Sequence, residues 1–151
     1  MERQEAQAAL QAVRHTNDQL ADLQAHACPP WRHAAFGAVE AVLVLGASAN
    51  GWPMWVLYSL SMLCAVVLMR SDRRRTGTWV NGWRRGRTLP LTAALCVAIA
   101  GLIFWARQDY LQPFPSPSGL AAAAVAFIGG TLASLWWQHI YIAELRRRVA
   151  P

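Results

Sequence analysis

One acidic residue lies inside an apolar stretch of the sequence. Glu40 is flanked by alanine, valine and leucine, and a charged carboxylate within a bilayer costs several kcal/mol. If the segments on either side of Asn50-Gly51 are antiparallel helices, Ser61 lies at the depth of Glu40. The pattern predicts either a proton-linked or cation-binding carboxyl group, or an acid that fixes helix pairing.

Two histidines extend this candidate site. His33 lies seven residues before Glu40 on the same helix face, and His139 follows the last apolar segment, where it can approach His33 in a bundle. No ligand pair has the local spacing of a zinc site, so we expect no metal and no cofactor. Because no nucleophile, base and metal converge, we expect no catalytic residues. The candidate residues for proton, cation or helix pairing are Glu40, Ser61, His33 and His139.

A second candidate is the basic stretch RRRTGTWVNGWRRGR at residues 73–87. Guanidinium groups bind phosphate bidentately, and basic residues beside a membrane attract anionic lipid by about 1 kcal/mol each. We expect this loop to contact anionic headgroups, or to dock a partner protein or phosphorylated ligand. A loop tethered to the bilayer at both ends is poorly suited to duplex binding, so no nucleic-acid partner is expected. The candidate residues are Arg73, Arg74, Arg75, Trp79, Trp83, Arg84, Arg85 and Arg87.

Four apolar segments must position these residues. Each is close to the length that crosses about 30 Å of hydrocarbon and is apolar around its whole circumference, unlike a surface helix. The chain is 55% hydrophobic and 15% charged, whereas soluble domains are about 25% charged, which argues against an ordinary soluble enzyme. The predicted fold is an all-α integral membrane four-helix bundle of two helical hairpins. The segments cover approximately residues 34–49, 53–69, 89–106 and 119–137.

Residues at the segment boundaries agree with this prediction. A proline lies at or just before the start of each segment, where its missing N–H costs nothing. The eight tryptophans lie near segment ends or in connecting loops, as is typical of indoles at the headgroup level. The prolines are Pro30, Pro53, Pro90 and Pro117.

Charge predicts the orientation. All basic residues are arginine, and the net charge is +6. In a four-span chain every arginine except Arg107 lies on one side, so the positive-inside rule places both termini and the loop at residues 70–88 in the cytoplasm. We expect a multi-pass protein of the bacterial inner membrane.

The regions outside the membrane are short. We expect a cytoplasmic amphipathic helix at residues 1–29, a membrane domain at residues 30–140 and a basic cytoplasmic tail at residues 141–151. The N-terminal helix either packs on its own loop or self-associates. Its polar start predicts no cleavable signal peptide. Three cysteines without paired spacing predict reduced thiols.

Small residues form faces on the first and fourth segments. Such faces allow close helix association in lipid, either within one chain or in a homo-oligomer. They comprise Ala34, Gly37, Ala38 and Ala41 on the first segment, and Ala122, Ala126, Gly129, Gly130 and Ala133 on the fourth.

The loop motif RTGTWVNGWRRGR between apolar helices resembles a group of uncharacterised small four-helix bacterial inner-membrane proteins. That resemblance covers most of the chain and implies no activity. The glutamate in the first helix is also similar to that of the small multidrug exporters, although the polar N-terminal helix, the long basic loop and the strong charge bias depart from their pattern. We therefore expect a non-catalytic accessory or regulatory membrane module that presents the loop to lipid or to a partner protein. The alternative is a small oligomeric transporter that uses Glu40.

The orientation makes a testable prediction. Reporter fusions after residues 51 and 112 should report the external side, and fusions after residues 80 and 151 should report the cytoplasm, because arginine-rich segments are retained inside. An external location for residue 80 would overturn the four-span topology.

Overall fold

A computed structural model describes residues 2–76 and 87–147. In these two ranges the chain is helical throughout apart from short connections, with no strand, which confirms the all-α class. The elements are α1 (Glu2–Ala27), α2 (Pro30–Ser48), α3 (Trp52–Thr76), α4 (Leu89–Ala106) and α5 (Pro117–Arg147), with a short 3-10 helix, Arg107–Asp109, between α4 and α5.

Local sequence explains where the helices begin. The four prolines expected at helix starts occupy the first or second position of α2, α3, α4 and α5, where a fixed φ suits the helix. Ser116 Oγ accepts a hydrogen bond from the N–H of Gly119 at 3.2 Å and so caps α5. The helix starts therefore follow from proline placement and one serine cap.

The helix ends differ from the sequence prediction in two cases. α4 covers the expected residues 89–106. α3 and α5 continue past the predicted ends at residues 69 and 137, to Thr76 and Arg147. Arginine is a good helix former, so the basic stretches prolong both helices, and the predicted tail is helical as far as Arg147.

A tight turn joins α2 to α3 in an antiparallel hairpin. Gly51 has a φ of +69°, a left-handed conformation that glycine adopts without steric cost. Its N–H donates to Oδ1 of Asn50 at 2.9 Å. The turn fixes the register of the hairpin and so decides which residues of α2 and α3 meet at its open end.

The arrangement is organised around α2, which packs on α3, α4 and α5. Its most extensive contact is with α5 rather than with α3, its hairpin neighbour. Within the described ranges, α3 packs on α2 and α1 but reaches neither α4 nor α5. α4 also packs on α5, so both expected hairpin contacts, α2 with α3 and α4 with α5, are present. The main contact between the two hairpins is that of the first and last apolar helices.

Small residues bring α2 and α5 together. A Cβ at Gly37 would collide with Oγ1 of Thr131 and the carbonyl of Phe127, and a Cβ at Gly130 would lie 3.2 Å from Cα of Gly37. Gly37 belongs to the predicted small-residue face of the first segment, and Gly130 belongs to that of the fourth. The two glycines meet within one chain. A cluster of buried side chains continues the core towards the end of the bundle that carries the Asn50-Gly51 turn. It consists of Val44, Ala47, Ala106, Ala122 and Ala126.

Within residues 2–76 and 87–147, three helices are long and apolar enough to cross a membrane: Trp52–Arg75, Leu89–Asp109 and Pro117–Glu144. The apolar windows of α3 and α4 are almost entirely uncovered by protein, as is expected for surfaces that face lipid. These features support a membrane protein. α2 is not among the three, and its 19 residues include Arg32, His33 and Glu40.

Close packing at Gly37 makes a prediction. Gly37→Ala should lower the free energy of unfolding by about 1–3 kcal/mol, because the new methyl group meets the backbone of α5 as well as Thr131. Unfolding in mixed micelles, followed by circular dichroism, measures the change.

Gly129→Ala is the matched control, since a Cβ there meets nothing within 4 Å. Alanine in place of a helical glycine should raise stability by about 0.5–1 kcal/mol. Equal effects of the two substitutions would contradict the close contact between α2 and α5.

Candidate functional site

Glu40 faces α5 from the middle of α2. The residue is only 8% exposed, and its carboxyl group lies directly against Gly130, in the space that a side chain would otherwise fill. Within the described part of the chain, Oε2 has no hydrogen-bond partner. A buried polar atom without a partner costs about 1–3 kcal/mol, so this oxygen is the least satisfied group of the seam between α2 and α5.

Ser61 lies on the opposite side of α2 from that seam. Its hydroxyl group is buried and donates to the carbonyl of Val39 at 3.1 Å. The antiparallel hairpin thus places Ser61 close to the depth of Glu40, but the hydrogen bond goes to the backbone. Ser61 therefore fixes α3 against α2 and does not contact the carboxyl group.

His33 lies on the same seam, seven residues or about two turns from Glu40. Its ring is 3% exposed; Nδ1 lies 2.9 Å from Oγ of Ser134 and Nε2 lies 3.6 Å from Sγ of Cys28. The side chain of Gln138 lies beside this ring. The imidazole is thus held by α5 and by the residues that precede α2.

His139 does not join this group. It is exposed on α5, and its neighbour Gln138 takes the place beside His33. In the ranges 2–76 and 87–147, no three His, Cys, Asp or Glu side chains are grouped closely enough to hold a metal ion. Of the four residues predicted for this site, Glu40 and His33 share the seam, whereas Ser61 and His139 lie outside it.

An ion pair joins the start of α2 to the end of α3. Nε of Arg32 donates to both carboxylate oxygens of Asp72 at 2.8 Å, and Nη2 donates to Oδ2 at 2.6 Å. The two side chains are 30% and 22% exposed, so the pair is partly shielded from water. Charge-assisted contacts of this geometry are stronger than neutral hydrogen bonds, and this one closes the open end of the hairpin.

Cys28 lies between these two groups. Its Sγ is 3.7 Å from Nη1 of Arg32, in addition to the contact with His33. Burial raises the pKa of the Cys28 thiol, and this effect outweighs the opposing influence of Arg32. The sulfur is therefore a protonated thiol at neutral pH and can donate to Nε2 of His33. All three cysteines are free.

Exposed arginines surround this end of the bundle. We call it the arginine-rich end, and it comprises residues 28–33, 70–76, 87–88 and 138–147. Arg73, Arg74 and Arg75 are exposed on the last turn of α3, and the guanidinium of Arg75 lies 5.2 Å from the ring centre of Trp31. At the start of α4, the backbone N–H of Arg87 donates to Glu144 at 3.1 Å. The remaining predicted loop residues, Trp79, Trp83, Arg84 and Arg85, lie outside the described residues.

Sequence reasoning missed three residues of this region: Asp72, Ser134 and Gln138. For Asp72 a signal was present, because it is the single acid among the arginines of residues 70–75 and the hairpin register brings it opposite Arg32. Ser134 and Gln138 lie one turn apart on α5, but only the pairing of α2 with α5 gives them a role.

Comparisons with protein families, curated proteins and solved structures find no match for this chain. Its function must therefore be argued from its own residues.

The ion pair makes a prediction. Arg32→Gln and Asp72→Asn should each destabilise the protein, and a double-mutant cycle in mixed micelles should give a coupling of about 1–2 kcal/mol, because either substitution alone leaves a partly buried charge.

Arg74→Gln combined with Asp72→Asn serves as the control cycle, since Arg74 is exposed on the same turn. Its coupling should be close to zero. A coupling for Arg32 and Asp72 no larger than this control would show that the pair does not hold α2 to α3.

Proposed function

We propose that the chain is a four-span protein of the bacterial inner membrane, with α2 as the fourth span and with both termini and residues 77–86 in the cytoplasm. The three long apolar helices support the membrane location. The loop resemblance and the positive-inside distribution of arginine support the compartment and the orientation. In this arrangement the arginine-rich end is the cytoplasmic end.

The packing of α2 supports its assignment as a span. Its 19 residues extend about 28 Å, close to the thickness of the hydrocarbon core. Arg32 is neutralised by Asp72, and His33 and Glu40 are covered by α5. A helix whose polar groups are paired with or covered by neighbouring helices does not have to be apolar itself.

We further propose that the protein acts without catalysis, as an accessory or regulatory module that presents a basic face to anionic headgroups, where it can also receive a partner protein. The observation that carries this proposal is the geometry at the end of α3. Arg32 and Asp72 anchor this end to α2, the following arginines project outwards, and Arg75 stacks on the half-exposed ring of Trp31. An indole at headgroup level beside guanidinium groups is well suited to bind lipid phosphate.

A small oligomeric transporter that uses Glu40 is the second candidate. The unsatisfied Oε2 atom favours it, because a solely structural acid would be expected to form a hydrogen bond with its neighbours.

The basic face predicts lipid selectivity. In bilayers that contain phosphatidylcholine, spin-labelled phosphatidylglycerol should associate with the protein more strongly than spin-labelled phosphatidylcholine, and salt should reduce the difference. Replacement of Arg73, Arg74 and Arg75 by glutamine should lower this selectivity, as electron spin resonance can measure.

Arg107→Gln is the control, because Arg107 is an exposed arginine at the opposite end of the bundle. Its effect should be smaller than that of the triple substitution. Unchanged selectivity after the triple substitution would remove the support for the headgroup-binding face.

A further inference from the structure

The seam between α2 and α5 changes character at Glu40. On one side, polar side chains lead from the carboxyl group to the arginine-rich end. On the other side, the seam is filled by the apolar cluster around Val44 and Ala126, which is completely buried. The polar row consists of Thr131, Ser134, His33, Gln138 and Cys28, joined in part by the hydrogen bonds of His33.

Among the described residues, no charged side chain is paired with the Glu40 carboxyl group to stabilise its ionised form. Arg32 is taken up by Asp72, and Glu144 accepts from the backbone of Arg87. No hydrogen bond reaches Oε2 from any described residue. The other described titratable groups on the elements packed against α2 are few. They are Tyr58, Cys64 and the charged residues between 70 and 75 on α3, Cys96 on α4, Arg107 and Asp109 on the 3-10 helix, and His139, Tyr141 and Glu144 on α5. The charged residues of α3 and the three residues of α5 belong to the arginine-rich end, and Arg107 and Asp109 lie at the opposite end.

The carboxylic acid form suits this environment better. Burying an ionised carboxylate without a partner costs far more than burying a neutral acid, and the contact of Gly37 with Gly130 leaves little room for water at the carboxyl group. Ionisation therefore requires a path by which the proton can leave and water can approach. The polar row supplies that path on the side of the arginine-rich end. On the other side, the apolar cluster lies between Glu40 and the buried hydroxyl groups of Ser48 and Ser116.

We propose that Glu40 is a proton-binding site that exchanges its proton with the aqueous phase at the arginine-rich end and is sealed from the opposite side by the apolar cluster. When the proton leaves, the O–H bond breaks, the electron pair stays on the carboxylate, and a water molecule in the polar row accepts the proton. Rebinding reverses the step. The assignment of the exchanging side to the cytoplasm rests on the topology proposed above.

Labelling with dicyclohexylcarbodiimide tests the proposal, because this apolar reagent crosses bilayers and reacts with protonated carboxyl groups. The full chain is reconstituted in vesicles. Trypsin cleavage after Arg73, Arg74 or Arg75 identifies the molecules whose arginine-rich end faces outwards, whereas cleavage after Arg107 identifies the opposite orientation. Mass spectrometry of the labelled peptide should locate the modification at Glu40. Its rate should fall as the pH on the arginine-rich side is raised and should not respond to pH on the other side.

The variants give two controls for the site. Glu40→Gln should lose the label, whereas Asp109→Asn, at the opposite end of the bundle, should keep it. An unlabelled Glu40 in the folded wild-type protein, or a rate that follows pH on the side opposite the arginines, would overturn the proposal. Because trypsin determines the orientation independently, a reversed topology would be distinguished from a failure of the proton site.

The polar row is tested by deuterium exchange. The infrared carbonyl band of the protonated acid is assigned by its loss in Glu40→Gln. After transfer to D₂O, this band should shift more slowly in Ser134→Ala than in wild type. Ser61→Ala is the matched control, since Ser61 is also buried but lies on α3, where it donates to the backbone of α2, and it should exchange at the wild-type rate. Equal rates in the two serine variants would overturn the route through the row.

Discussion

The close contact between α2 and α5 is the constraint on which the other features depend. Association of helices in lipid gains little from the hydrophobic effect and relies on close packing. Gly37 and Gly130 permit that packing at the centre, and small side chains such as Ala47 and Ala122 continue it. α4 packs against both helices of the pair and α3 packs against α2. Both α3 and α4 leave most of their own apolar surface to the surroundings.

This packing explains how a helix as polar as α2 can occupy the centre. Its polar groups are accommodated in three different ways: Arg32 by an opposite charge, His33 by hydrogen bonds to its neighbours, and Glu40 by fitting against a glycine. The first two arrangements satisfy the groups fully. The third leaves one carboxyl oxygen, Oε2, without a hydrogen-bond partner among the described residues.

Much of the secondary structure could be predicted from the sequence, because proline and apolar runs act locally. The bounds of α4 follow directly from its apolar run, whereas α3 and α5 continue beyond their apolar runs into arginine-rich residues, because arginine is a good helix former. The pairing of α2 with α5 was not predictable, since the small-residue faces fit contacts within one chain or between chains. Glu40 and His33 could be selected from the sequence. Ser134 could not, because its role depends on the pairing of α2 with α5.

The order of the helices along the chain has a consequence for biogenesis. The residues of α5 that cover Glu40 and His33 are synthesised after α2, α3 and α4. At about 5–20 residues per second, Gly130 follows Glu40 by on the order of 10 s. During that interval α3 is available to α2, and the ion pair of Arg32 with Asp72 can already form. The nascent hairpin must then keep an exposed acid and imidazole at the insertion machinery or the membrane surface until the final helix arrives.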